Sequence, residues 1–269
     1  MELQCFVVDA FTDVPFRGNP AGVCLLDEPL SDELMQQVAS ELNCSETAFV
    51  TAIDGGGRFS IRYFSPKQEI PLCGHATLAS AKVLLAADGS RELCFVTLHD
   101  LELPVRGAGE RIEMEFPIYT TRPAEAPEAL CAALGLESVL NVAYNEETGI
   151  LLLEIEETGV LAGLRPDFDA LYRSHDAIQG VLVTAASDGE DGHDFHSRYF
   201  WPWSGSNEDP VTGGTHTFLA GYWSERLGKS KMSSFQASQR TGSMEVELKA
   251  GQLLIRGHAV IVLEGRILV

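Results

Sequence analysis

The chain has 269 residues, of which 45% are hydrophobic and 22% charged, a composition typical of a folded globular protein and not of a disordered one. It contains 39 acidic and 19 basic residues, so its formal net charge is −20. So acidic a surface repels nucleic-acid phosphates and anionic lipid headgroups, which disfavours a nucleic-acid or membrane partner and favours a small-molecule substrate.

The N-terminal segment predicts a strand and no export signal. Glu2 to Asp9 is strand-like and has no basic region followed by an apolar one, as a secretory signal peptide would. No apolar run approaches the ~20 residues that a membrane span needs. The six cysteines form no C-x-x-C pair, which disfavours a zinc knuckle or a thioredoxin-type motif. We therefore expect a cytoplasmic protein.

The first half of the chain predicts one surface helix, one buried helix and several strands. Apolar residues recur every four positions behind an acidic first turn, which predicts a surface helix over Ser31–Leu42. The aromatic segment 56–66 ends in proline and is typical of a strand. Apolar residues surround the predicted helix 73–85 almost completely, which is typical of a buried helix. Segment 96–116 is rich in β-type alternation.

The proline-containing segment 118–127 is the natural boundary between the two halves. We therefore predict domains 1–117 and 118–269, with the last strand free to cross back to the first half. The elements predicted for the second half are two short helices, one strand, a glycine turn followed by an apolar helix, and a β-rich end, at 127–134, 166–172, 192–202, 213–223 and 244–269.

The two halves share a repeat. Segment 56–66 reads GGRFSIRYFSP, and 136 residues later segment 192–202 reads GHDFHSRYFWP, with six of eleven positions identical. Each copy precedes a glycine-containing turn and an apolar helix, and a self-match at half the length indicates duplicated halves. We therefore predict an α+β fold of two pseudo-symmetric domains, each a curved, mostly antiparallel sheet wrapped round a central buried helix.

Reactive side chains cluster at the two glycine turns. The first turn carries Cys73 and His75, and the second follows Glu208 and Asp209. A helix N-terminus offers unpaired N–H groups and a positive dipole end to an anion. If the two turns face one cleft, they could hold a carboxylate substrate from both sides.

Four segments resemble the phenazine-biosynthesis-like (PhzF-like) family in order and spacing over essentially the whole chain. They are VDAFT with GNPAG at 8–12 and 18–22, SETAFV at 45–50, RYFSP with LCGHATLA at 62–66 and 72–79, and RYF with EDPVTG at 198–200 and 208–213. The resemblance implies a diaminopimelate-epimerase-like fold, with the active site between two similar domains. It also implies a homodimer and an isomerase that transfers protons without a cofactor.

The resemblance assigns roles position by position. Glu46 matches the carboxylate that moves the proton, His75 the histidine of the first turn and Asp209 the aspartate of the second. In the implied mechanism Glu46 takes a proton from an acidified carbon and returns it to a different carbon, while His75 and Asp209 hold and polarise the substrate. The expected substrate is a small anionic metabolite. The predicted substrate-binding residues are Asn19, Cys73, Gly74, Gly213 and Gly214.

The second turn departs from the family pattern. The family commonly has serine after the turn glycine, followed by alanine and histidine, whereas this chain has Gly214 and Thr215 before His216. Two alternatives to allylic isomerisation stay open: an epimerase or racemase of an amino or hydroxy acid, and a metabolite-binding protein without turnover. No metal site is predicted, because His193 and His196 would point to opposite faces of a strand.

Overall fold

The computed structural model describes residues 1–88, 91–204 and 206–269. These residues divide into two compact units. The first unit comprises Met1–Phe116 together with Leu254–Val269, and the second comprises Pro117–Leu253. The C-terminal segment therefore belongs to the first unit, and the boundary near its start falls within a strand, β17 (Gln252–Gly257).

The first unit is built from strands on both sides of the second unit in the chain. Its strands are β1 (Glu2–Ala10), β2 (Asn19–Leu26), β3 (Glu46–Ala52), β4 (Arg58–Phe64), β5 (Glu69–Ile70), β6 (Glu92–Val96), β7 (Glu102–Ala108), β8 (Arg111–Phe116) and β18 (Ala259–Leu268). Its helices are α1 (Asp32–Leu42) and α2 (Gly74–Asp88).

Pairing in the first unit is mostly antiparallel. β1 lies between β18 and β2, antiparallel to both. β2 pairs in parallel with β3, β3 is antiparallel to β4, and β4 is parallel to β6. β6, β7 and β8 continue as an antiparallel meander, while β5 pairs with β4. The parallel pairing of β2 and β3 places Ala21 opposite Glu46 and so brings the starts of these strands together.

The helices of the first unit follow from local sequence. The Ser31 hydroxyl caps α1 by accepting from the Leu34 N–H at 3.3 Å, and Asn43 ends the helix in the left-handed conformation. α2 packs against β1, β2, β3 and β18. Leu78 and its neighbours along α2 are completely buried, which confirms the buried helix that the sequence predicts. Its first turn therefore has a fixed place beside the strand starts.

The second unit contains the remaining elements. Its strands are β9 (Arg122–Pro123), β10 (Asn141–Asn145), β11 (Ile150–Ile155), β12 (Gly180–Ala186), β13 (Phe195–Trp201), β14 (Ser206–Asp209), β15 (Lys231–Gln236) and β16 (Gly242–Lys249). Its helices are α3 (Glu128–Leu134), α4 (Thr158–Gly163), α5 (Phe168–Arg173) and α6 (His216–Leu227), with a 3₁₀ turn at Pro202–Ser204.

The second unit mixes parallel and antiparallel pairs in a defined order. β9, β10 and β11 are successively antiparallel, β11 is parallel to β12, and β12 is antiparallel to β13. β13 pairs in parallel with β15 and antiparallel with β14, and β15 is antiparallel to β16. α6 packs against β15 and β16. Trp223 of α6 is buried and donates its indole N–H to the Thr184 hydroxyl at 2.9 Å.

Most of the sequence predictions of local structure are confirmed. The α+β class is confirmed, and Arg111–Phe116 alternates between exposed or half-buried and buried residues as the pattern predicts. Asn19, one of the predicted substrate-binding residues, begins strand β2, although the Gly-Asn-Pro sequence around it is typical of a turn. The short helix α4 was not anticipated, because six residues carry too little periodicity to identify a helix. Within the described ranges, no helix is both long and apolar enough to span a bilayer.

Candidate functional site

Glu46 begins β3 and is buried. A carboxylate in such a position needs a charged or hydrogen-bonding partner, because burial of an unpaired charge is costly. That partner is His75, whose Nε2 lies 3.1 Å from Glu46 Oε2. Both side chains are about nine-tenths buried, at 8% and 10% exposed for His75 and Glu46. The pair therefore combines a proton acceptor with a proton donor in an environment that excludes most water.

The first turn of α2 fixes His75. Gly74 begins the helix, and a Cβ added to it would lie 3.3 Å from the ring of Phe116, so the backbone passes close to its neighbour. The Thr77 hydroxyl donates to the Cys73 carbonyl at 2.7 Å. Since that hydroxyl has a single proton, the Tyr63 hydroxyl, 2.6 Å away, donates to it in turn. This chain of hydrogen bonds anchors the turn that carries Cys73 and His75.

Two further predicted residues lie against the His75 ring. Asn19 Nδ2 is 3.3 Å from His75 Nδ1, and Cys73 Sγ is 3.4 Å from the same nitrogen. Cys73 Sγ is also 3.8 Å from Glu46 Oε2. Nδ1 can accept from Asn19 when the ring is neutral, and it can donate to the sulfur when the ring is protonated. The structure thus brings Asn19, Glu46, Cys73 and His75 together.

Electrostatics in this cluster favour a protonated histidine. Burial by itself lowers the pKa of His75, but the neighbouring Cys73 and Glu46 outweigh it and raise that pKa well above its ordinary value. Burial raises the pKa of the Cys73 thiol, with a further increase from Glu46. The Cys73 thiol therefore ionises less readily than a free thiol, and His75 is the group that this cluster favours in its charged form.

Asp209 is the last residue of β14 and is buried in the second unit. The Thr212 hydroxyl donates to Asp209 Oδ2. Gln236 on β15 donates from Nε2 to the Asp209 carbonyl at 2.7 Å and accepts from the Thr212 N–H at 2.8 Å. Thr212 and Gln236 therefore orient Asp209 and its turn. Thr212 stands in the quoted motif, but Gln236 had no local signal because it comes from a distant strand.

Gly213 and Gly214 precede α6. Their carbonyls accept from the His216 and Thr217 N–H groups at 3.1 and 3.2 Å, which starts the helix. Gly214 is exposed, and a Cβ added there would meet no atom within 4 Å. The departure at this position is therefore no steric requirement of the backbone. His216 is buried, and burial lowers its pKa to about 4.

The prediction that His193 and His196 point to opposite faces of one strand is wrong. His193 precedes β13, and its ring centroid is 6.0 Å from that of His196. The two side chains are therefore not on opposite faces of one strand. His196 Nε2 lies 2.7 Å from Asp191 Oδ2, and His193 Nδ1 lies 3.0 Å from the Ser233 hydroxyl, so both rings are engaged in local hydrogen bonds.

Comparison with known proteins gives the chain its relatives. A family model described as phenazine biosynthesis-like protein matches residues 8–265. A Pseudomonas aeruginosa protein named an uncharacterized isomerase is 44% identical over 267 residues, which cover 98% of each chain. The mouse phenazine biosynthesis-like domain-containing protein 1 is 42% identical over 287 residues, which cover 98% of this chain and 99% of the relative.

A solved structure agrees with these sequence relatives. The crystal structure of a PhzF-family phenazine biosynthesis protein from Enterococcus faecalis is 35% identical and superposes with a TM-score of 0.92, covering 100% of both chains. The family model, the full-length relatives and the solved structure agree, and the chain belongs to the phenazine biosynthesis-like protein family.

Proposed function

We propose that this chain is an isomerase that moves a proton between two carbons of a small carboxylate-bearing metabolite, with Glu46 as the acid and base and without a cofactor. The observation that carries the proposal is the buried Glu46–His75 pair, 3.1 Å apart. Membership of the family and the isomerase name of the Pseudomonas relative support the reaction class.

Glu46 and His75 would have different roles in the proton transfer. Glu46 Oε2 accepts a proton from a carbon whose C–H bond is acidified by conjugation, and then returns it to a different carbon. Protonated His75 stabilises the ionised carboxylate before the transfer and can then direct an N–H toward the negative charge that develops on the substrate. One carboxylate can serve both steps because it is regenerated at the end of each cycle.

Binding of the substrate would fall to the predicted polar groups. The N-terminus of α2, beginning at Gly74, offers N–H groups to a substrate carboxylate. We propose Asn19 and Cys73 as further contacts in the first unit, and Asp209, Gly213 and Gly214 in the second. Local N–H groups must attract an anion here, since the whole protein carries a net charge of −20.

We also propose that the two units are duplicated halves. In the first unit the pairing sequence is parallel, antiparallel, parallel along β2, β3, β4 and β6. In the second unit the same sequence runs along β11, β12, β13 and β15. In each half a buried helix, α2 or α6, lies in the chain between the third and the fourth of these strands.

A homodimer is the expected assembly, to be checked by light scattering.

The test is exchange of substrate C–H protons in deuterated water, followed by NMR. A panel of small carboxylates should include unsaturated acids and single enantiomers of amino and hydroxy acids. Deuterium incorporation with movement of a double bond supports the proposal. Deuterium incorporation with inversion at one carbon, and no bond shift, would replace it by an epimerase. Binding without any exchange would replace it by a metabolite-binding protein.

A further inference from the structure

Cys5 and Cys24 face each other across two neighbouring strands. They are directly opposite in the antiparallel ladder of β1 and β2, so both side chains lie on the same face of the sheet. Their sulfur atoms are 2.7 Å apart, closer than two non-bonded sulfur atoms usually approach. Both residues are buried, at 2% and 0% exposed. The proton transfer proposed above uses neither thiol, so the pair calls for a separate explanation.

The backbone at this pair suits a disulfide. Opposite residues of an antiparallel ladder have Cα atoms about 4.5 to 5.5 Å apart, and disulfides bridge Cα atoms about 4.4 to 6.8 Å apart. A disulfide bond is about 2.05 Å long, so small changes of the side-chain torsions would close the gap between the two sulfur atoms. The strands can therefore keep their register when the bond forms.

We propose that Cys5 and Cys24 are a site of reversible oxidation, at which a small peroxide forms a disulfide between β1 and β2. The Cys5 sulfur attacks one oxygen of hydrogen peroxide, which forms a sulfur–oxygen bond, breaks the oxygen–oxygen bond and releases water. The Cys24 sulfur then attacks the sulfur of the Cys5 sulfenic acid, which forms the disulfide and releases a second water. The two thiols lose two electrons and two protons, and the peroxide accepts both.

The contact between the two thiols gives them different roles. A hydrogen bond from the Cys24 thiol lowers the pKa of Cys5, although burial opposes this effect. The same hydrogen bond raises the pKa of Cys24, and burial adds to that increase. Because the thiolate is the reactive form, Cys5 is the thiol that attacks the peroxide. Cys24 remains protonated at that stage and can supply a proton to the hydroxide that leaves.

The burial of the pair restricts the oxidant to a small molecule. Cys5 and Cys24 belong to a hydrophobic cluster that includes Leu26 and Phe49. Leu26 and Phe49 also line a cavity of about 210 Å³, together with Ile53, which is exposed. The cavity therefore leads from solvent toward the cluster that contains the thiols. Hydrogen peroxide is only slightly larger than water and is small enough for this route.

Hydrogen peroxide is the probe for the test, applied to the folded chain at a small molar excess. The remaining thiols are then alkylated under denaturing conditions. We expect the chain to lose two hydrogen atoms in intact mass and to carry two fewer alkyl groups than the untreated chain.

Peptide mapping locates the bond. Trypsin and a glutamyl endopeptidase cut after Arg17 and Glu33, among other sites. These cuts place Cys5, Cys24 and Cys44 in separate peptides. The linked peptides should be those of Cys5 and Cys24, and dithiothreitol should separate them by thiol–disulfide exchange.

Variants assign the bond to the two residues. Cys5→Ala and Cys24→Ala should each abolish the linked peptides, whereas Cys44→Ser, at another buried thiol of the same unit, should still form them. The map of the oxidised wild type decides the question by itself if either alanine variant fails to fold. Alkylation of both Cys5 and Cys24 after peroxide treatment, or a bond from either of them to Cys44, would overturn the inference. Neither result bears on the proposed isomerase, because the oxidation does not involve Glu46.

Discussion

His75 Nε2 lies 3.1 Å from Glu46 Oε2, which joins the first turn of α2 to the first residue of β3. The two residues are buried, and each supplies what the other lacks there. Glu46 gives the protonated imidazole a counter-charge, and His75 gives the carboxylate a hydrogen-bond donor. The pairing makes the cluster sensitive both to substitution and to pH.

Replacement of Glu46 by glutamine should remove proton transfer. The amide keeps the shape of the side chain but has no carboxylate lone pair of suitable basicity. We expect the rate of substrate C–H exchange to fall by about 10²- to 10⁴-fold, the usual contribution of a general acid–base group. Glu115→Gln is the matched control, because Glu115 lies 4.0 Å from Arg106 in a partly exposed pair that involves neither Glu46 nor His75. Equal rates for wild type and Glu46→Gln would disprove the assigned role.

Stability should decrease as the pH rises above neutrality, because of His75. Its pKa is raised in the folded protein, so the native state binds a proton that the unfolded chain releases near pH 6.5. The stabilisation is complete below that pH and is lost as the pH rises through the folded-state pKa. Urea unfolding between pH 6 and 9, a range around the ordinary histidine pKa, should show the decline in the wild type. It should be smaller in His75→Gln, and an unchanged slope would contradict the explanation.

Stability should also decrease as the pH falls below neutrality, because of His216. Burial lowers its pKa to about 4, and its Nε2 accepts from the Ser234 hydroxyl at 2.9 Å while Nδ1 donates to the Thr212 carbonyl. Its contribution is complete above about pH 6.5 and is lost as the pH falls toward 4. The difference corresponds to roughly 3 kcal/mol. His216→Gln should flatten the dependence of the unfolding free energy on pH in this window, whereas His75→Gln should not.

Loss of Arg198 should destabilise the chain more than loss of Arg62. Arg198 forms a two-bond pair with Glu208, with side chains only 7% and 18% exposed, and it also donates to the Leu164 carbonyl at 2.8 Å. Arg62 forms the equivalent pair with Glu69 at 19% and 28% exposed. Removal of one partner from a buried pair costs about 3 to 5 kcal/mol.

We therefore expect Arg198→Met to lower the unfolding free energy by about 3 kcal/mol and Arg62→Met by about half as much, because water compensates more of the second loss. Urea denaturation at pH 7 gives both values. Equal costs, or a larger one for Arg62→Met, would show that burial does not rank these pairs.

Gly18→Ala should disturb the position of Asn19. Gly18 has φ +66°, and an added Cβ would lie 2.1 Å from the Ala10 carbonyl oxygen. The backbone must move, and the next residue, Asn19, contacts His75. Gly109→Ala is the matched control, since Gly109 has φ +69° and open space around an added Cβ. The control should lose about 1 kcal/mol from the left-handed conformation alone, and Gly18→Ala roughly 1 to 3 kcal/mol more. Equal losses of stability for Gly18→Ala and Gly109→Ala in thermal unfolding would refute the steric argument.

Gly214→Ser should leave the stability of the protein almost unchanged. A Cβ at this exposed position meets no atom within 4 Å, so the change in unfolding free energy should stay within about 0.5 kcal/mol. Gly180→Ser is the contrasting variant, because its Cβ would lie 2.6 Å from the Tyr199 ring. With folding preserved, any difference in ligand affinity of Gly214→Ser, measured by calorimetry, reports the restored hydroxyl. A large loss of stability would mean that the turn is packed more tightly than its geometry indicates.

Local structure was largely predictable from sequence because its causes are local. The four-residue spacing over Ser31–Leu42 and the all-round apolar character of α2 correctly indicated a surface helix and a buried one. Alternation over Arg111–Phe116 likewise identified β8. Asn19 shows where such reasoning stops. The Gly-Asn-Pro sequence favours a turn, but pairing with β1 extends the backbone immediately after Gly18.

The sequence by itself determined the α+β class, the principal helices and strands, and the motifs that identify the family, because periodicity and residue order are contained in the chain. Only the tertiary structure decided which of the chemically suitable side chains meet. Asn19 and His75 are 56 positions apart, and the parallel pairing of β2 with β3, packed against α2, brings them and Glu46 together. Strand register and helix packing arise from contacts between distant residues. The proximity of Cys73 Sγ to Glu46 and the support of Asp209 by Gln236 are therefore absent from any local pattern.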